Sequence, residues 1–147
     1  MVEQLLKDLF FAFWFFGPAG LANVLAFGSG KSKLLRPFNY PVDCYRTFRG
    51  KRILGSHKTI RGFVVGTIAA ILAVNLQIVL YQYLPWMRAV LPIDYSVVNP
   101  IILGFLLGFG ALAGDAIKSF FKRQVGIQPG VSWVPFDQID FILGGII

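Results

Sequence analysis

The sequence predicts an all-α protein, a polytopic bundle of transmembrane helices. Of its 147 residues, 56% are hydrophobic and only 14% are charged, and the mean hydropathy is +0.66. A soluble domain needs more polar surface than this, so we predict a membrane protein. Long apolar runs alternate with connections that carry most of the Lys and Arg residues. The length fits one integral-membrane domain over residues 1–147, without room for a separate soluble domain.

Three apolar runs are long enough to cross a bilayer, at roughly 5–27, 62–84 and 97–117. A fourth run begins near Pro135, a residue that suits the first turn of a helix. Only about a dozen residues remain from there to Ile147, whereas a span needs about 20. We therefore expect the sequence to be truncated inside this element, and the full protein to have about four to five spans.

The third run carries glycines at four-residue spacing, in Gly104-x-x-x-Gly108 and Gly110-x-x-x-Gly114. Small residues at this spacing let membrane helices approach closely. The pattern predicts that this helix packs at the centre of the bundle.

Positive charge is concentrated in two connections. The basic loop, residues 28–61, has nine Lys or Arg residues and a single acid, Asp43, and the third connection begins with Lys118, Lys122 and Arg123. The Lys/Arg bias of membrane loops predicts that both face the cytoplasm from a multi-pass protein of the cell membrane. Because the net charge of +7 lies between apolar runs, it favours anionic lipid or a phosphate-bearing substrate over nucleic acid.

Asp115 follows 20 residues without a charge, residues 95–114. On a continuing helix, Asp115, Lys118, Ser119 and Lys122 share one face. A helix end with snorkelling lysines explains the cations. It does not explain the acid, which is costly at this depth and is by default functional.

A second acidic pair, Asp137 and Asp140, stands three residues apart before another apolar run. Acids in a first helical turn also suit the helix dipole, which is the simpler interpretation. Together with Asp115, however, they would place three carboxylates near one interface, without a Cys or His beside them. Such oxygen ligands favour a hard cation, and Mg²⁺ shared with substrate phosphates is the natural occupant.

The segment "GSHKTIRG", residues 55–62, precedes the second run. Lys58, Thr59 and Arg61 could hold phosphates there, near a helix start that offers backbone N–H groups. His57 is the single histidine, and we expect it to form hydrogen bonds rather than act as a base. Carboxylates for Mg²⁺ and cations for phosphates, in a lipid setting, favour phosphoryl or nucleotidyl transfer to a lipid phosphate.

These segments together resemble the CTP-dependent phosphatidate cytidylyltransferase family. Its signature places Ser-x-x-Lys-Arg shortly before a D-x-x-D pair, and the matching residues here are Ser119, Lys122, Arg123, Asp137 and Asp140. The segments "RGKRILGSHKTIRG" and "WVPFDQIDF" are more similar to the archaeal branch, the CDP-archaeol synthases. The bacterial and eukaryotic pattern also has Lys-Asp after Lys-Arg and His-Gly-Gly before D-x-x-D, and this chain has neither, which favours the archaeal branch.

The resemblance implies one catalytic domain that uses Mg²⁺ and CTP in ether phospholipid biosynthesis. CMP would pass to an unsaturated archaetidic acid, 2,3-bis-O-geranylgeranylglyceryl phosphate, giving CDP-archaeol and pyrophosphate. Its implied metal ligands are Asp115, Asp137 and Asp140, which with Ser119 and Lys122 form the catalytic set. The implied substrate-binding residues are Lys58, Thr59, Arg61, Lys118 and Arg123. Asn23, at the end of the first run, and Asp43 are second-rank candidates, and Asn23 could equally cap or join helices. The partners would be CTP, the lipid phosphate and membrane lipid, with no nucleic acid and the oligomeric state left open.

The alternative is a small membrane transporter or channel subunit in which Asp115 relays an ion or a proton. Two other enzyme classes are disfavoured by the sequence. The D-G-x-x-A-R…G…D-x-x-x-D motif of the CDP-alcohol phosphatidyltransferases is absent, and lipid phosphatases of the haloperoxidase type need two histidines.

Overall fold

The computed structural model describes residues 1–30, 35–127 and 131. The described helices are α1 (Val2–Ser29), α2 (Ile60–Tyr83), α3 (Pro85–Val90) and α4 (Pro100–Gln124). Two short antiparallel strands, β1 (Thr47–Phe48) and β2 (Lys51–Arg52), lie between α1 and α2, and 3-10 turns cover Arg36–Phe38 and Tyr95–Val97. The predicted helix bundle is confirmed, and the hairpin within it is an element that the sequence analysis did not predict.

The helices α1, α2 and α4 are each long and apolar enough to cross a membrane, with 28, 24 and 25 residues. At 1.5 Å per residue these lengths exceed the hydrocarbon core of a bilayer, which is about 30 Å thick. Within the described part of the chain these are the three candidate spans, and they coincide with the three predicted runs. The predicted fourth span, from Pro135, lies outside the described residues.

Side-chain caps fix where two of the spans begin. Thr59 Oγ1 accepts a hydrogen bond from the backbone N–H of Gly62 at 3.1 Å. Asn99 Oδ1 accepts from two backbone N–H groups in the first turn of α4, at 3.0 and 3.1 Å, and Pro100 follows as the first helical residue. Both are common helix-start signals, so these boundaries follow from local sequence.

Glycines bring the three long helices into close contact. A Cβ atom built on Gly104 would lie 2.4 Å from Cα of Ile71, and one built on Gly108 would lie 2.6 Å from Cβ of Ala70. On α2, a Cβ atom at Gly66 would lie 2.6 Å from a carbonyl oxygen of α1. No larger residue fits at these positions without moving a helix, so the predicted glycine-mediated packing of α4 is confirmed for Gly104 and Gly108, and it stays a prediction for Gly110 and Gly114.

A polar side chain ties α1 to α2 inside the bundle. Gln77 is 8% exposed, and its Nε2 donates a hydrogen bond to the backbone carbonyl of Trp14. A buried amide in a membrane bundle needs such a partner. At the end of the bundle away from the basic loop, Tyr81, Met87 and Tyr95 form an apolar cluster that joins α3 to the spans.

The hairpin docks the basic loop onto α4. Its turn, residues 49–50, has two positive φ angles, 51° and 74°, as two-residue hairpin turns of type I′ require. Lys51 Nζ donates to the backbone carbonyl of Gln124 at 2.7 Å, and the rings of Phe48 and Phe120 lie 6.0 Å apart. The two basic connections therefore meet at the same end of the bundle.

Candidate functional site

A pocket of about 450 Å³ opens where the basic loop meets the ends of α1, α2 and α4. This volume is within the range of small-molecule sites. The polar residues in its wall are Asn23, His57, Lys58, Thr59 and Asp115. Four of them are predicted site residues that come from three separate parts of the chain, and the fold brings them together.

Asp115 lies at the centre of the charged part of this pocket. Its carboxylate forms an ion pair and a hydrogen bond with Nζ of Lys58, and its Oδ1 lies 3.4 Å from Nζ of Lys118. The side chains of Asp115 and Lys58 are each 21% exposed, and that of Lys118 is 14% exposed. A carboxylate inside the candidate span α4 is tolerated here because two cations neutralise it.

The backbone that carries Lys58 is fixed by a bridge to an earlier part of the basic loop. The carbonyl of Lys58 accepts a hydrogen bond from the N–H of Val42 at 2.8 Å, and the N–H of Ile60 donates to the carbonyl of Tyr40 at 2.9 Å. Thr59 then caps α2. The ammonium of Lys58 reaches Asp115 from this fixed base along a flexible side chain.

Asp43 organises the basic loop. Its side chain is fully buried and accepts hydrogen bonds from Nη2 of Arg52 at 2.7 Å and from the N–H groups of Tyr45, Leu54 and Gly55 at 3.1, 3.1 and 3.2 Å. Burial alone would raise the pKa of Asp43, but these hydrogen bonds outweigh it and hold the pKa below its ordinary value.

A carboxylate has about four acceptor sites, and those of Asp43 are used within the loop. Asp43 also lies outside the pocket wall. The observed contacts are therefore structural ones that shape the segment leading into residues 55–59. Contact between Asp43 and a substrate stays a prediction.

Arg61 is 2% exposed and also faces the loop interior. Its Nη2 donates to Oδ1 of Asn39 at 3.0 Å, which ties the start of α2 to the loop. Arg61 is not part of the pocket wall, and phosphate binding by this residue stays a prediction.

The remaining predicted residues of α4 pack beneath the basic loop. Ser119 is 7% exposed and donates its hydroxyl to the carbonyl of Asp115 at 2.9 Å, and Lys122 is 8% exposed. Arg123 lies against Gly55, where an added Cβ atom would be 3.8 Å from its Nε. In the described structure these three residues lie beside the pocket rather than in its wall. Asp137 and Asp140 lie outside the described residues.

The pocket suits a hard cation held by one protein carboxylate. Among residues 1–30, 35–127 and 131 there is no group of three or more His, Cys, Asp or Glu residues that could hold a metal. Magnesium sites commonly use one or two carboxylates together with substrate phosphates and water. Asp115 therefore fits as one ligand of a Mg²⁺ ion that a phosphate substrate brings with it.

The apolar part of the wall was missed by the sequence analysis. Val24 and Phe27 of α1, Phe63 of α2 and Leu112 of α4 line the pocket beside its polar residues. Lipid-facing residues of a membrane helix are apolar as well, so composition gives no signal that separates the two roles. The same pocket thus offers charge for phosphates and an apolar surface for a lipid chain.

Comparison with known proteins identifies relatives along nearly the whole chain. Residues 4–147 match a family described as CarS-like, CDP-archaeol synthase. The CDP-archaeol synthase of Methanospirillum hungatei is 42% identical over 110 residues, covering 73% of this chain and 61% of the relative. That of Methanopyrus kandleri is 36% identical over 138 residues, covering 91% and 66%.

The CDP-archaeol synthase of Methanococcoides burtonii is 41% identical over 135 residues, covering 88% of this chain and 72% of the relative. This chain therefore spans about two thirds of the length of these relatives. A solved structure, described as an intramembrane enzyme for archaeal membrane lipids biosynthesis, superposes with a TM-score of 0.69 at 29% identity. The superposition covers 92% of this chain and 73% of that one.

Proposed function

The chain belongs to the CDP-archaeol synthase family, and from this premise we propose that it is a CTP-dependent cytidylyltransferase of ether lipid synthesis. It would transfer CMP from CTP to 2,3-bis-O-geranylgeranylglyceryl phosphate, giving CDP-archaeol and pyrophosphate. The observation that carries the proposal is the meeting of Asp115 and Lys58 in a partly apolar pocket formed by three candidate spans and the basic loop.

The reaction needs positioning and charge neutralisation more than it needs a base. A phosphate oxygen of the lipid attacks the α-phosphorus of CTP, and the bond between that phosphorus and the oxygen bridging to the β-phosphate breaks. The second pKa of a phosphate monoester is about 6, so the attacking oxygen is already deprotonated at neutral pH. This agrees with a pocket whose single histidine, His57, is exposed at the wall.

Lys58 is the best-placed residue to hold the triphosphate. Its ammonium reaches the centre of the pocket, and a lysine binds phosphate as a compact point charge. The wall also contains Asn23, a hydrogen-bonding group, and His57. Together they would orient the nucleotide so that its α-phosphorus faces the lipid side.

Asp115 would hold the metal. When bound, Mg²⁺ would neutralise charge that develops on the phosphate oxygens and on the leaving pyrophosphate. Asp137 and Asp140 would complete the ligand set, and Ser119, Lys118, Lys122 and Arg123 would support it along α4.

The location of the pocket suits an acceptor that stays in the membrane. Val24 and Phe27 are 65% and 75% exposed, so the apolar wall continues onto the outer surface of α1, where lipid chains can lie. We place the pocket on the cytoplasmic side of the cell membrane because the adjoining connections are rich in Lys and Arg. The transporter alternative has no support from the family comparison.

The test is a transfer assay with position-specific label. Purified protein in detergent receives Mg²⁺, the unsaturated archaetidic acid and CTP labelled either in the α- or in the γ-phosphate. Cytidylyl transfer puts α-label into a lipid product and γ-label into pyrophosphate. Absence of a labelled lipid with α-labelled CTP at any divalent metal, or lipid that carries γ-label, would refute the proposed reaction.

A further inference from the structure

We propose that Lys58 occupies the cation position at Asp115 until a metal-bound nucleotide enters, and then moves its ammonium to the nucleotide's phosphates. Lys58 would thereby make metal binding at Asp115 conditional on nucleotide. The inference rests on the proposed function for the identity of the nucleotide, and it concerns residues of this chain alone.

The two lysines that contact Asp115 differ in how they are held. Lys118 is on the same helix, three residues further along, with its Nζ 3.4 Å from Oδ1. Lys58 comes from the basic loop and makes the closer contact, as both an ion pair and a hydrogen bond to Oδ2. Lys118 is therefore a local neighbour of Asp115, whereas Lys58 reaches it across the pocket.

Charge balance gives the reason for an exchange. A carboxylate that is only 21% exposed needs a cation beside it. In the described structure Lys58 and Lys118 both supply that charge, and Lys58 makes the closer contact. A divalent cation at the same carboxylate would be repelled by the ammonium of Lys58 at this contact distance. The two cations therefore compete for Asp115, and the phosphates of an incoming nucleotide offer Lys58 a new anionic partner.

The proposed exchange requires movement of the Lys58 side chain alone. The backbone of Lys58 is fixed by the hydrogen bond from Val42, and Thr59 holds the start of α2. The lysine side chain has four rotatable bonds, and the pocket beside it has a volume of about 450 Å³. Rotation of the side chain alone can carry the ammonium from Asp115 to a phosphate in the pocket.

The test measures metal binding directly, without turnover. Mn²⁺ stands in for Mg²⁺ because it favours the same oxygen ligands, and its binding to purified, nucleotide-free protein is read from loss of the free-ion signal in electron paramagnetic resonance. We expect Lys58→Met to tighten Mn²⁺ binding about tenfold, more than an exposed ion pair would give, because both partners are largely buried.

Two comparisons tie the effect to Asp115. The control Lys51→Met removes the same charge from a lysine that contacts the end of α4 at Gln124, and it should change Mn²⁺ binding less than twofold. In the double variant Lys58→Met with Asp115→Asn the tenfold gain should vanish. Wild-type Mn²⁺ affinity in Lys58→Met, or a gain that persists without Asp115, would overturn the proposal. Lys58→Gln repeats the measurement with a second uncharged side chain.

Addition of CTP tests the second half of the exchange. In the wild type CTP should tighten Mn²⁺ binding, after correction for the metal held by free CTP, because the phosphates draw Lys58 away. In Lys58→Met the factor by which CTP tightens Mn²⁺ binding should be about tenfold smaller, and an undiminished factor would overturn the exchange.

The transfer assay on the same wild-type preparation separates the two proposals. Transfer with unchanged Mn²⁺ binding in Lys58→Met would overturn the exchange alone, and tightened binding without transfer would overturn the cytidylyltransferase function alone.

Discussion

Replacing Gly104 with alanine should push α2 and α4 apart. The new Cβ atom would lie 2.4 Å from Cα and 2.9 Å from the backbone nitrogen of Ile71, whereas non-bonded carbon atoms in proteins rest about 3.5–4.0 Å apart. To relieve this overlap, α4 and α2 must separate by roughly 1 Å, because the contacting atoms of Ile71 belong to the backbone and side-chain rotation cannot move them. Overpacking of this kind costs about 1–3 kcal/mol, and we expect about 2 kcal/mol for Gly104→Ala.

The matched control is Gly28→Ala near the end of α1. Apart from its chain neighbours and the nearby backbone of α1 itself, no heavy atom of the described residues lies within 4 Å of a Cβ atom built there, and alanine favours a helix over glycine by up to about 1 kcal/mol. The free energy of unfolding of both variants is measured by titration with SDS from detergent micelles, followed by tryptophan fluorescence. A Gly104→Ala protein as stable as Gly28→Ala would refute the close packing of α2 and α4.

Three further predictions concern the basic loop. Asp43→Ala should destabilise the loop by about 3 kcal/mol, because Arg52 and three N–H groups lose their acceptor. Amide hydrogen exchange across residues 43–55 should then accelerate. Unchanged exchange would contradict the structural role of Asp43. Since hydrogen bonds hold the pKa of Asp43 below its ordinary 3.8, its stabilisation is fully present above pH 3.8 and is lost as the pH falls through the lowered value. The anisotropy of a fluorophore on Cys44, the single cysteine, should report that loss, and Asp43→Asn should remove the acid transition. Thr59→Ala should cost about 1 kcal/mol through loss of the α2 cap, whereas Thr59→Ser should restore the SDS midpoint; equal midpoints for the two variants would contradict the cap.

The spans and their packing were predictable because the membrane imposes simple requirements. A helix that crosses lipid must be long and apolar, and helices without a hydrophobic driving force between them rely on small residues for close contact. The structural roles of residues 62–84 and of the glycines at 104 and 108 can therefore be predicted from the sequence. Asp115 was recognisable as a candidate for the opposite reason, since a charge in an apolar run has a cost that only function or a partner offsets, and its catalytic role stays a prediction.

The contacts of the basic loop could not be predicted from the sequence. The sequence does not distinguish the cations of the loop by their partners. In the structure Lys58 reaches the pocket. Arg61 is buried against Asn39, and Arg52 binds Asp43. Which cation takes which partner depends on the hairpin and on the bridge between Pro41 and Thr59, and these are set by tertiary contacts. The pairing of Lys58 with Asp115 joins residues 57 positions apart.

The central claim is that Asp115 is part of a site where CMP passes from CTP to a lipid phosphate. Its most direct test compares the wild type, Asp115→Asn and Lys51→Met in the transfer of α-labelled CMP to the archaetidic acid, at matched SDS stability. We predict a labelled CDP-lipid from the wild type and from Lys51→Met, and no detectable product from folded Asp115→Asn. Full turnover by folded Asp115→Asn would contradict the claim and remove Asp115 from the site.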